Sequence, residues 1–343
     1  MTLTHSLHSR AYVDPTFYEA ERQAVFRRTW QLLGPVAPLA EPGAYQALDV
    51  AGWKLFVLRG RDGVLRGFHN VCRHRGARLL QDGQGRCDLL RCPYHLWIYD
   101  HEGRLKKAPW FGEDPGFRLE DYPLNPISVA EWRGLLFAAI APEGSLESQL
   151  GGLPAAVGEQ PLETFHLAAE ERFEMRCNWK TYTDNFVEGY HIPGIHPGFR
   201  KMIDFEAFET TASDGLVQMS APLKGNYFYG GTWLWAWPNW TLSVYPEGMN
   251  TSRINPLGPD RTELIYRFYF ADLSDAAAAA RAETIAGNCQ VVREDFSICE
   301  ETQANYASGA FEQGPLSPRH EAGVAYFQDR LRQSLASQGL AAD

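Results

Sequence analysis

No run of apolar residues in this sequence approaches the ~20 that a bilayer-spanning helix needs, and the opening, MTLTHSLHSRAYV, lacks the apolar core of a secretory signal. Both absences point to a cytoplasmic protein with no membrane partner. A Lys/Arg run is missing too, and 42 acidic residues outnumber 32 basic ones for a formal charge of −10. Such a surface repels phosphate backbones, so nucleic acid is not an expected partner. Cysteine is sparse: six in 343 residues are too scattered for a disulfide framework, and Cys87, Cys177, Cys289 and Cys299 read as buried free thiols. Repeats and low-complexity tracts are absent except for an alanine run at 276–280, which suits a helix. What is plentiful is hydrophobic content, at 45 %, enough for the core of two ordinary domains or one elaborated one.

Local patterns divide the chain. Residues 15–30 set Phe17, Phe26 and Trp30 among charges in a helical arrangement opened by Pro15. From 44 to 140 the text turns to short β-type segments such as WKLFVLRG and RGLLFAAI, separated by turns such as GRDG, DGQG and HEGR. That is a small all-β module. Further on, 178–192 reads as helix, 225–271 as two or three long strands, and 275–307 and 320–335 as helix again. The expected fold class is therefore α+β.

The first chemical signal is CRHRGARLLQDGQGRCDLLRCPYH. Cys72 and His74 form a CxH pair, Cys92 and His95 a CxxH pair, and seventeen residues separate them. Thiolates are soft charged donors and imidazoles neutral ones. Two of each can close a tetrahedral zinc site, or ligate a Rieske [2Fe–2S] cluster in which one iron takes both thiolates and the other both imidazoles. Two loops that each supply one Cys and one His suit the cluster better than common zinc spacings do. Imidazole ligation raises the potential to about −150 to +300 mV, against about −400 mV for plant-type ferredoxins, so such a centre accepts electrons readily. Gly76 permits a tight turn, Pro93 stiffens the second loop, and Arg73 and Arg75 can offset negative charge.

The second signal is CNWKTYTDNFVEGYHIPGIHPGF. On a helix, Glu188 and His191 share a face with Asp184 one turn earlier, and Pro193 with Gly194 then ends the helix so that His196 can return towards His191. Non-heme iron that activates O2 is typically held by two histidines and one carboxylate. In IAGNCQVVREDFSICEET, Asp295 has Val291, Val292, Ile298 and Cys299 at its i±3 and i±4 positions, whereas Glu294 has Gln290, Val291, Ser297 and Ile298. Asp295 thus sits on the apolar stripe, where a carboxylate needs a cation. Alone it would read as half of a buried salt bridge; with the histidine pair it reads as the third metal ligand. In GGTWLWAWPNW, Trp233, Trp235 and Trp237 alternate and share a face if the segment is a strand. They form either a packed sheet face or an aromatic wall for a cationic or aromatic ligand.

With both motifs in view, the chain resembles the terminal oxygenase α subunit of the Rieske non-heme iron oxygenases, the ring-hydroxylating family. The carriers are CxHx17CxxH, NWKxxxDN at 178–185, ExYH built on Glu188 and His191, His196, and the EDxxxxE segment with Asp295. The resemblance implies an all-β Rieske [2Fe–2S] domain at 41–145. It also implies a helix-grip (START-like) catalytic domain with an antiparallel sheet, from 1–40 and 146–343. Cys72 and Cys92 then bind one cluster iron, His74 and His95 the other, and His191, His196 and Asp295 a mononuclear Fe(II). Glu188 takes the place of the acidic bridge between a neighbouring subunit's His95 and His191 within a homotrimer. The implied activity uses O2 and electrons relayed from NAD(P)H by a reductase or ferredoxin. It hydroxylates or oxidatively demethylates a small organic substrate, either aromatic or a quaternary ammonium or betaine compound, by mono- or dioxygenation. A Rieske electron carrier or a zinc-dependent hydrolase are the alternatives. Two departures stand out: the bridge is usually Asp, with Glu in relatives that oxidise compounds such as carnitine, and Leu96 replaces the usual glycine after His95.

Overall fold

The computed structural model describes residues 3–225 and 230–342. It divides into two compact units, Arg27–Glu143 and the combination of Met1–Phe26 with Gly144–Asp343. The Arg27–Glu143 unit is built on a seven-stranded antiparallel sheet. Its spatial order is Gln31–Pro35, Leu135–Ala139, Pro126–Trp132, Leu65–His69, Trp53–Arg59, Ala44–Val50 and Gly83–Arg86. The pleat sorts the run at 55–58: Phe56 and Leu58 meet Phe68, Trp97, Tyr99 and the buried Cys72 and Cys92, whereas Leu55 and Val57 meet Leu33, Val50 and Leu136. Covering both faces explains why LFVL does not alternate with polar residues. Gln31–Pro35 is buried throughout and pairs with Leu135–Ala139, so residues 27–40 belong to this unit rather than to the one assigned to them from the sequence.

The other unit carries a second seven-stranded antiparallel sheet, ordered His166–Met175, Arg261–Phe270, Gly248–Gly258, Trp240–Tyr245, Thr232–Ala236, Leu216–Ser220 and Glu209–Ser213. The helices Trp179–Phe186, Ala278–Ser308 and Ala322–Ala336 pack on this sheet and on one another, a helix-grip arrangement of the α+β class. Gly309, at φ +74°, closes the long helix in the left-handed conformation that glycine adopts without a Cβ clash.

Three local expectations change. The N-terminal helix runs Pro15–Glu21, capped by Asp14 accepting from Thr16 N, continues as a π-helical turn to Phe26, and leaves Trp30 to lead into a strand. The motif helix ends at Phe186 rather than 192, because the Glu188 carboxylate takes the N–H groups of Tyr190 and His191 and offers the backbone an alternative to the helical ladder. Pro193 consequently opens a short helical turn, Ile192–Ile195, instead of ending a long helix. The stretch 225–271 holds four strands because turns at 237–239, 246–247 and 259–260 cut it; residues 226–229 lie outside the described residues. The two C-terminal helices fall at Ala278–Ser308 and Ala322–Ala336, close to the expected spans.

One buried pair anchors the motif helix. Lys180 and Glu21 are both 0 % exposed, with Nζ 2.6 Å from Oε1. Lys180 Nζ also donates to Asn178 Oδ1, and Trp179 Nε1 donates to the other Glu21 oxygen at 2.7 Å. The NWK triplet is therefore a single cross-brace to the N-terminal segment.

Candidate metal centres and active-site pocket

In the Arg27–Glu143 unit the two motif loops have the same backbone wiring. Cys72 N donates to Ala77 O and Cys92 N to Trp97 O; the carbonyls of the two cysteines accept from Gly76 N and Leu96 N. Gly76 and Leu96 occupy equivalent positions, both left-handed, at φ +75° and +61°. Leu96 therefore holds a conformation that ordinarily selects glycine. The loops bring His74 Nδ1 within 3.2 Å of His95 Nδ1 over the buried cysteines. Trp97 stacks on the His74 ring, and Tyr99 Oη sits 3.2 Å from Cys72 Sγ while accepting from Arg73 N. Burial first, and the Cys92 sulfur after it, push the Cys72 thiol upward. Arg73 reaches Asn125, outside the two motif loops, and Arg75 lies over the ring of Tyr94 within the second loop. Tyr94, 55 % exposed, and Trp110, 88 % exposed, are apolar surface in this unit.

In the other unit His191, His196 and Asp295 come together, with one ligand atom from each all within 4.8 Å of one another. His196 Nε2 lies 2.9 Å and His191 Nε2 3.9 Å from Asp295 Oδ1. Both imidazoles are held from behind by carboxylates: His191 Nδ1 pairs with Glu188 Oε1 at 2.5 Å and His196 Nδ1 with Glu294 Oε2 at 2.8 Å. This leaves the Nε2 atoms facing Asp295, the tautomer and orientation that a carboxylate behind a histidine imposes at metal sites. Burial acts to lower the His196 pKa, but Asp295 and then Glu294 override it and hold it above its ordinary value. Glu294 is off the apolar stripe that marks Asp295 in the sequence. Its role comes from that offset, since adjacent helical residues point about 100° apart and only one of the pair can enter the pocket. Asp184, expected near Glu188, turns instead to Tyr12 Oη at 2.5 Å and Gln328 Nε2 at 3.0 Å.

The triad opens into a pocket of about 750 Å³. One part of its wall is aromatic: Trp233 packs edge-on to Phe199 at 5.3 Å and lies parallel to Phe208. Another is polar, where Asn288 Oδ1 accepts from Tyr266 Oη at 3.0 Å and Asn250 Nδ2 at 3.3 Å, and Thr241 Oγ1 meets Ser252 Oγ at 2.6 Å. Trp235 and Trp237 are buried against Phe327, with Arg330 over Trp237, so of the three alternating tryptophans only Trp233 reaches the pocket.

A family model for the ring hydroxylating alpha subunit (catalytic domain) matches residues 162–235 and 218–337, and one for the Rieske [2Fe-2S] domain matches 29–123. The chain belongs to the Rieske non-heme iron oxygenases, as an α subunit. It is 31 % identical to the carnitine monooxygenase oxygenase subunit of Escherichia coli (strain K12), over 96 % of this chain and 93 % of that one. It is 28 % identical to the chloroplastic choline monooxygenase of Spinacia oleracea, over 96 % and 78 %. A solved quaternary ammonium Rieske monooxygenase superposes with a TM-score of 0.86 at 26 % identity, covering 98 % of this chain and 95 % of that one. Naphthalene 1,2-dioxygenase, at 18 % identity and TM-score 0.80 over 98 % and 94 %, shares the fold.

As a Rieske oxygenase, the protein is an oxidoreductase that uses O2 and electrons from an electron-transfer partner, with a [2Fe–2S] cluster and a mononuclear iron as cofactors. Family membership sets aside the electron-carrier and zinc-hydrolase alternatives. Both donor sets fit their groups. Asp295 is buried with its Oδ1 turned to the Nε2 atoms of both histidines, the set of two imidazoles and one carboxylate that holds non-heme iron. The paired Nδ1 atoms beside two buried sulfurs offer the mixed thiolate and imidazole set of a Rieske centre. Among the described residues no helix is long and apolar enough to cross a membrane.

Proposed function

We propose that this oxygenase is a monooxygenase of small quaternary ammonium compounds, hydroxylating a carbon attached to the charged nitrogen. The observation that carries the reading is the pocket's chemistry. Trp233, Phe199 and Phe208 share it with the carboxylates of Glu188 and Asp295, and among the described residues no Lys or Arg lines it. An indole face attracts a quaternary ammonium by ~0.5–2 kcal/mol, and an acidic pocket disfavours anions such as aromatic carboxylates. The relatives named for carnitine and choline, matched over nearly the whole chain, support the same class. The test is product-coupled O2 consumption with a surrogate reductase, offering choline, carnitine and betaines beside small aromatic acids. Coupling to at least one quaternary ammonium compound is expected; coupling to aromatic acids alone would overturn the reading.

In this proposal Cys72 and Cys92 hold one cluster iron and His74 and His95 the other, while His191, His196 and Asp295 hold the mononuclear iron. The bound metals supply single-electron delivery and O2 activation, and the protein supplies placement. Glu188 orients His191 and, in a homotrimer, receives His95 of a neighbouring subunit, joining the centres through protein. The exposed Tyr94 and Trp110 suit burial against such a neighbour. All six cysteines are free, which suits a reducing cytoplasm where a reductase or ferredoxin partner also operates. Asp295→Ala is expected to empty the mononuclear site while leaving the cluster's colour. Glu188→Gln is expected to uncouple electron delivery from product; normal coupled turnover counts against the bridge.

A further inference from the structure

Behind the metal pocket lies a second cleft, of about 830 Å³. It opens at the exposed Ile298 and Pro315 and runs inward past Ser6 and Thr302. Asn185 and Glu188 line both this cleft and the metal pocket, so they are the partition between the two. On the cleft side of that partition sits Asp184. Tyr12 Oη donates to its Oδ2 at 2.5 Å, Gln328 Nε2 donates to its Oδ1 at 3.0 Å, and Gln328 Nε2 also reaches Tyr12 Oη at 3.0 Å.

We infer that this cleft is the proton-entry route of the oxygenase, with Asp184 as its relay acid next to the Asn185–Glu188 partition. The reaction requires such a route. Inserting one atom, RH + O2 + 2 e⁻ + 2 H⁺ gives ROH + H2O; inserting both, the same two electrons and two protons give a diol. Electrons come from the reductase, but protons have to reach buried ligand residues, His196 being 1 % and Asp295 6 % exposed. The inference is therefore independent of which substrate is oxidised. Glu188 is already committed through both oxygens to His191 and Tyr190, so another group has to carry the proton. A polar cleft of this size holds waters that can pass protons from solvent to a carboxyl and on past the partition.

The environment of Asp184 suits the task. It is half-buried: its carboxyl looks into the cleft while protein surrounds it on the other sides. That enclosure pushes the carboxyl up to about 7, against the hydrogen bonds of Tyr12 and Gln328 and the charge of Lys180, with Glu321 adding to the rise. On the long helix, Cys299 and Tyr306 face it and stay neutral, since burial drives both of their pKa values up. Tyr12 is likewise held neutral by burial, with Arg332 opposing only weakly.

Asp184→Asn keeps the hydrogen-bonding shape and removes the proton. In the reconstituted enzyme it is expected to lower O2-driven turnover by at least about tenfold, the low end of general acid contributions, with KM unchanged. The wild-type rate is expected to decline above neutral pH, a decline that Asp184→Asn should lack and Asp184→Glu should retain. Hydrogen peroxide already carries both electrons and both protons, RH + H2O2 giving ROH + H2O, so peroxide-driven turnover of Asp184→Asn should stay within about twofold of wild type. Infrared titration of the reconstituted enzyme should show a carboxyl C=O band that disappears near neutral pH and is absent in Asp184→Asn. A band titrating in the ordinary carboxylate range, an unchanged pH profile, or peroxide-driven turnover lost to the same degree as O2-driven turnover would overturn the inference. If Asp184→Asn does not fold, Thr302→Phe narrows the cleft with Asp184 intact; unaltered O2-driven turnover in that variant would equally overturn it.

Discussion

Lys180→Met removes one half of the buried pair that ties the motif helix to the N-terminal segment. At 2.6 Å and an effective dielectric of 20, Lys180 and Glu21 attract by about 6 kcal/mol. Desolvating two ions costs several kcal/mol each, so the intact pair is close to neutral against an apolar replacement. Deleting one partner is different, because Glu21 stays buried with Trp179 Nε1 as its remaining donor. The expected loss is about 3–5 kcal/mol, which for a unit of this size lowers the melting temperature by roughly 6–20 °C. The pH dependence has a defined sign. Burial holds the folded-state carboxyl of Glu21 above its ordinary value, with Lys180 opposing. A group whose folded pKa is raised favours the folded state below its unfolded pKa, and that advantage is lost as pH rises through the folded value. Without Lys180 the folded pKa climbs further. The deficit of Lys180→Met should thus be small near pH 5 and grow towards pH 8, as read by thermal melts followed by circular dichroism. Adding Glu21→Gln, which keeps an acceptor for Trp179, should return most of the loss. A deficit independent of pH, or a double variant no better than the single one, would refute the account.

Leu96→Gly relieves a left-handed conformation costing ~1–2 kcal/mol while adding ~0.5–1 kcal/mol of unfolded-state entropy. The cluster should therefore survive heating as well as or slightly better than wild type, followed by loss of visible absorbance; a drop of several degrees would show that the Leu96 side chain packs usefully. Glu294→Gln removes the carboxylate behind His196 and should weaken iron binding at the mononuclear site by about 10- to 100-fold, measured by chelator competition, with cluster content unchanged. Trp233→Leu should weaken binding of a quaternary ammonium substrate by roughly 2- to 30-fold, the loss of ~0.5–2 kcal/mol, while an unchanged KM would remove Trp233 from the recognition surface.

Much of both metal centres was legible because each rests on short loops. In CxH and CxxH, and in the stretch from Glu188 to His196, spacing alone puts the donors within reach of one another, and the turn residues that allow it are adjacent in the chain. Asp295 is 99 residues beyond His196, yet helical periodicity marked it as an acid on an apolar stripe. Periodicity also over-extended the motif helix, since a side chain that captures backbone N–H groups, as Glu188 does, leaves no trace in a pattern of apolar positions. Alternation put three tryptophans on one sheet face but could not say what covers each: Phe327 takes two and the pocket receives the third.

The sequence by itself determined the chemistry on offer: two mixed Cys/His loops, a His pair with an acid, an α+β chain with an all-β insert. It could do so because ligand identity and local spacing are properties of a few consecutive residues. Tertiary structure alone decided that Glu294 stands behind His196, that Lys180 and Glu21 neutralise each other, and that Tyr12, Asp184 and Gln328 meet behind the metal pocket. Those contacts join residues up to 316 positions apart. What selects them is the packing of helices on a sheet, for which no local pattern carries a signal.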